Sequence, residues 1–172
     1  MKVGEKKSSM DAALVAGGAV LAAVTSAYGL RGETWKSPRP AFQPGNGAFG
    51  IWSVIFGYTF VYAAGVYAGT VTVDARDLWS FTLAYVLSSV WAFLYRSRRY
   101  ALSAACLAAA AAAASVHAFR YPVDRSARFA LRDAASGLLA GWLWVATLLG
   151  VGIVLLHRFP NASFTRHYDT TR

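Results

Sequence analysis

The chain has 172 residues, of which 56% are hydrophobic and only 15% charged, with 17 Lys+Arg against 8 Asp+Glu and a formal net charge of +9. A soluble domain of this size carries about 25% charged residues, so most of this surface faces something other than water. The basic residues fall in short clusters between long apolar runs, a pattern of anchors at anionic lipid head groups and not of a nucleic-acid-binding face.

Lys2, Lys6 and Lys7 precede the first apolar run, 12–30. A secretory signal has an apolar region of about 7–15 residues; this run is longer and reads as a first membrane span. Four more runs follow, at 48–71, 78–95, 101–119 and 134–156, and none of the five contains Asp, Glu, Lys or Arg. Each is near the roughly 20 residues that cross a bilayer core as helix. In hydrocarbon the backbone must satisfy its own hydrogen bonds, so each run is expected to be helical. The expected fold is therefore an all-α membrane protein: one domain, 1–172, forming a bundle of five transmembrane helices.

The connections are short except 31–47, which holds Pro38, Pro40 and Pro44 with Gly32, Gly45 and Gly47 and cannot be a regular helix. Trp35 and Phe42 lie in it, so it either folds back over the mouth of the bundle or lies as a plain loop at the interface. Residues 108–114 are all alanine, which lets helices approach closely and places span four inside the bundle; Gly17 and Gly18 suggest the same for span one. Cys106 is the only cysteine, so no intramolecular disulfide can form. His117, His157 and His167 have no metal-ligand spacing and are assigned to the interface; no metal site is expected. The two sides carry 8 and 9 Lys+Arg, too even to orient the chain in its membrane.

No charged residue lies mid-span, where ion-coupled carriers and pumps place their relays. What remains is aromatic: six Trp, nine Tyr and ten Phe. Trp35, Trp79, Tyr95 and Tyr121 suit interfacial belts. Trp52, Trp91, Trp142 and Trp144 lie inside their spans or close to an end, where indoles either pack between helices or line a flat apolar pocket with a few donors. Val90, Tyr95 and Arg98 make a weak sterol-type pattern.

The stretch 44–56, PGNGAFGIWSVIF, resembles the start of the second helix in the tryptophan-rich sensory protein / translocator protein family. Pro44, Ala48, Phe49, Ile51, Trp52 and Ile55 match that pattern, and Phe56 stands for its tyrosine. The stretch 141–147, GWLWVAT, is similar to the family's fifth helix, and Trp91 looks like the tryptophan of its third. The chain also departs from the pattern: Ser88 and Gly150 stand where the family carries asparagine, its proline pair before the second helix is reduced to Pro44, and the tail lacks a cholesterol pattern around Tyr168, which implies a kept scaffold with an altered pocket.

The resemblance implies a dimer-forming five-helix protein of a bacterial or mitochondrial membrane that binds a porphyrin, a sterol or another lipid. The ligand-binding residues it implies are Trp35 as a loop lid with Trp52, Trp91, Trp142 and Ala146 as lining. No catalytic residue is expected; the one chemistry the resemblance offers is tryptophan-assisted breakdown of a bound porphyrin. The alternative reading is a structural accessory subunit of a large membrane complex, with the polar tails 1–9 and 161–172 touching neighbouring subunits.

Overall fold

A computed structural model describes residues 3–30, 50–71, 73–119 and 127–159. They form five α-helices: α1 (Val3–Leu30), α2 (Ile51–Tyr67), α3 (Ala75–Arg96), α4 (Tyr100–Phe119) and α5 (Ala127–Arg158). The proline-rich segment 31–49 and the C-terminal segment 160–172 lie outside the described residues.

The helices close into a ring. α1 packs on α2 and α3, α4 on α3 and α5, and α2 meets α5 across the most sparsely packed of the five seams. Pairings along the helices show that α2 and α3, α3 and α4, and α4 and α5 run antiparallel: Thr59 meets Tyr85 and Tyr62 meets Phe81, Leu87 meets Cys106 and Asp77 meets His117, and Ser115 meets Trp144 while Tyr100 meets His157. One end of the bundle therefore holds the start of α2, the end of α3, the start of α4 and the end of α5.

By length and composition, Ala75–Arg96, Tyr100–Phe119 and Arg132–Arg158 can each cross a membrane. The apolar part of α1, Ser9–Thr25, and α2 are shorter but lie alongside them in the same ring. The outer surface is aliphatic, with Val24, Val61, Leu83, Leu102 and Leu148 all exposed. The interior holds alanines and aromatics, including Ala19, Ala84, Ala110, Tyr62, Phe81 and Tyr85. Branched aliphatics such as Ile55, Leu107, Leu139 and Leu143 are buried among them. Side chains gain nothing by leaving hydrocarbon for the interior, so small residues and ring packing hold the helices together.

Six buried hydroxyls are satisfied by their own helices. Thr25, Thr59, Ser88, Ser89, Ser136 and Thr147 each donate to the carbonyl four residues back, which is how a polar side chain is tolerated where no water reaches. Thr59 makes a second bond, 2.6 Å from the Tyr85 hydroxyl. The Ile55 carbonyl can only accept, so Thr59 donates to it and Tyr85 must donate to Thr59. Thr59→Val should therefore cost more than Tyr85→Phe, because it strands a buried O–H donor. About 1–3 kcal/mol is expected against about 1, read from reversible unfolding in mixed micelles.

The glycines of α1 divide: Gly18 packs against Tyr85 of α3, whereas Gly17 is exposed and touches nothing. The expectation that both serve close packing is corrected for Gly17. In α4, Ala110, Ala111 and Ala114 are fully buried while Ala109 and Ala112 are exposed, so the alanine run presents one face to the bundle and another outward.

Candidate functional site

α2 carries a stripe at helical spacing, Trp52, Ile55, Thr59, Tyr62 and Val66, all buried. α3 opposes it with Phe81, Ala84, Tyr85 and Ser88. Their rings form a continuous file through the bundle. Trp142 of α5 meets Trp52 edge-on at 6.3 Å, and Trp52 stacks on Phe56 at 5.4 Å. Phe56 reaches Tyr85 at 6.3 Å, Tyr85 meets Phe81 at 5.2 Å, and Phe81 touches both Tyr62 and His117. These separations lie in the range where aromatic quadrupoles attract in tilted and edge-to-face arrangements.

The structure brings together two of the expected lining residues, Trp52 and Trp142, each only 8% exposed and pointing into the bundle. Ala146, one turn beyond Trp142, is half-buried against the same core. Trp91 also packs on that core, but its ring pairs with Tyr95 at 6.0 Å and not with the Trp52–Trp142 pair. Trp35 lies outside the described residues, as does Phe49. Trp144 faces outward, and its indole N–H donates to the Ser115 hydroxyl of α4 at 3.0 Å. Trp79, near the start of α3, is 70% exposed.

Two of the departures from the family pattern have local reasons. Ser88 is fully buried and donates to the Ala84 carbonyl at 2.8 Å, so its hydroxyl proton is committed to its own helix. Gly150 faces α4: a Cβ there would sit 3.3 Å from the Ala104 Cβ. Glycine permits this close approach, and an asparagine would wedge the helices apart. Gly150→Asn should destabilise the bundle by about 1–3 kcal/mol, measured as a lowered unfolding midpoint.

At the opposite end of the file sits a polar cluster that sequence reasoning missed. His117 is only 2% exposed, 3.7 Å from the Asp77 carboxylate, against the rings of Tyr62 and Phe81. That corrects its assignment to the interface. Asp77 and Arg132 are buried too; Arg132 donates from Nε and Nη2 to Asp133 at 3.0 and 2.9 Å. The four residues come from the start of α3, the end of α4 and the start of α5, so no local spacing joins Asp77 and His117 to each other or to the adjacent Arg132 and Asp133. Phe81 and Tyr85 share one face of α3 at i, i+4 spacing, but that spacing does not say that the face turns inward.

A ring of apolar-faced helices around a file of aromatic side chains defines a helical integral membrane protein with a tryptophan-lined seam. The model of the TSPO-like protein family matches residues 13–163, nearly the whole chain, and the chain belongs to that family. No curated protein and no solved structure matches it.

Proposed function

We propose that this protein binds a flat, largely apolar ligand, a porphyrin or a sterol, at the α2–α5 seam, with Trp52 and Trp142 as its principal contacts. The observation that carries the reading is the meeting of these two buried indoles on the loosest of the five helix seams. A sparsely packed seam opens with least loss of helix contact. An edge-on indole pair presents one ring face and one ring edge to whatever enters between them. Phe56, stacked on Trp52, extends the flat surface inward, and Ala146 leaves room beside Trp142. Ligands that dissolve in lipid reach such a seam laterally from the bilayer. Family membership supports the same reading, in a bacterial or mitochondrial membrane.

Titration of the purified protein with a soluble porphyrin tests it. Saturable quenching of tryptophan emission is the expected result, with a sterol reversing it if the two ligands share the seam. Linear, non-saturating quenching would count against the reading and favour the accessory-subunit alternative.

A further inference from the structure

At the end of the bundle where α2 and α4 start and α3 and α5 stop, an open cleft of about 660 Å³ lies between the α3–α4 turn and the last turn of α5. It is lined by Arg98, Arg99, His157 and Arg158 together with the apolar Ala101, Leu102 and Val154. We propose that this cleft is a binding site for a phosphate group, presented by the headgroup of an anionic phospholipid. This goes beyond the ligand reading above, uses none of its residues, and stands or falls separately.

Charge is the first argument. The acidic residues of α2 to α5 and their described turns are Asp74, Asp77 and Asp133, and all three lie at the opposite end. The cleft end gathers Arg96, Arg98, Arg99 and Arg158. Their forked donors match phosphate oxygens in pairs.

Backbone geometry is the second. α3 ends in a Schellman motif: Arg99 N–H bonds to the Leu94 carbonyl and Arg98 N–H to that of Tyr95, each at 3.0 Å. The motif requires a left-handed residue, and Arg98 takes it with φ 59°. α2 ends in the same motif, where the left-handed residue is Gly69 at φ 69°. Glycine is the default there because it has no Cβ to clash. At the α3 end the chain instead holds a non-glycine residue in a disfavoured conformation, with the effect of setting a guanidinium at the cleft.

Helix polarity adds to this. The first helical bond of α4 runs from Ser103 to the Arg99 carbonyl, so Arg99 occupies the capping position. An arginine side chain has no acceptor to offer the first-turn N–H groups. An anion in the cleft would meet those dipoles as well as the guanidiniums. His157 is held in place by its ring contact with Tyr100 at 4.4 Å and by Nδ1 donating to the Ile153 carbonyl at 3.0 Å, which leaves Nε2 as the ring's other polar atom.

The apolar part of the lining selects a lipid over a free ion. Leu102 is exposed on the outer face beside the cleft, as is Leu155 on α5, so an acyl chain descending from a bound headgroup would run along aliphatic side chains.

Native mass spectrometry of the full chain tests the proposal, with phosphatidylglycerol and phosphatidylcholine added to matched micelles. One phosphatidylglycerol should be retained per chain under activation that strips phosphatidylcholine. The exposed pair Arg99→Gln/Arg158→Gln should lower its retention at least several-fold, and adding Arg98→Gly, which also relieves the left-handed strain, should lower it further. Lys6→Gln/Lys7→Gln/Arg76→Gln removes as much charge away from the cleft and should leave retention unchanged. Equal retention of the two lipids, an unchanged Arg99/Arg158 variant, or an equal loss in the charge control would overturn the site. Displacement of the lipid by millimolar inorganic phosphate, with phosphate adducts in its place, would overturn the lipid as its occupant.

Discussion

Replacing Trp142 with leucine is expected to weaken porphyrin binding ten- to a hundredfold while leaving the helix ring intact. Trp142 is buried, and its ring meets Trp52 edge-on at 6.3 Å. Leucine keeps much of the apolar bulk but removes the indole N–H and most of the flat face. If the ligand lies against that face, the loss is about 1–3 kcal/mol, which is the stated range in affinity. Trp79→Leu is the matched control: Trp79 is exposed at the start of α3, and its replacement should leave affinity unchanged. Porphyrin titrations of both variants make the comparison. Equal losses would mean that quenching reports partition into the micelle and not a seam.

Phe81→Ala should be the most destabilising single change in the interior. Phe81 is 1% exposed and its ring touches those of Tyr62, Tyr85 and His117, so it joins α2, α3 and α4 at one point. In lipid, the transfer part of the usual penalty is small, because the separated helix keeps its side chain in hydrocarbon. The lost packing remains, and it falls on several rings at once. About 2–4 kcal/mol is expected. Leu83→Ala, two residues along the same helix but half-exposed on its outer face, should lie within about 0.5 kcal/mol of the parent. Unfolding of both in mixed micelles, followed by circular dichroism, gives the ranking. A Leu83 effect as large as that of Phe81 would contradict the inside-outside assignment.

Much of the architecture is legible in the sequence, because a bilayer leaves an apolar run of about 20 residues little choice but helix. The helix ends were less so. α5 begins at Ala127, ahead of the apolar run at 134, since Arg132 and Asp133 end the hydrocarbon stretch without ending the helix. α2 stops at Tyr67 because Gly69 turns the chain, although apolar residues continue to Val71. The site was legible in part. Trp52 and Trp142 stood out through motifs that place them on particular helices. Tyr62, Phe81 and Tyr85 did not, because on a helix apolar all round the periodicity marks a stripe without saying that it faces inward. The Asp77–His117 contact joins two helices across 40 positions of sequence and Arg132 arrives from a third, so only the closed ring reveals them.

Photoaffinity labelling with a diazirine-bearing sterol in bilayers, followed by peptide mapping, tests binding at the α2–α5 seam most directly. Label is expected on the α2 peptide containing Trp52 and the α5 peptide containing Trp142 and Ala146, removed from both by excess porphyrin. Label confined to outward residues such as Val24, Trp79 and Leu148, and indifferent to porphyrin, would contradict it.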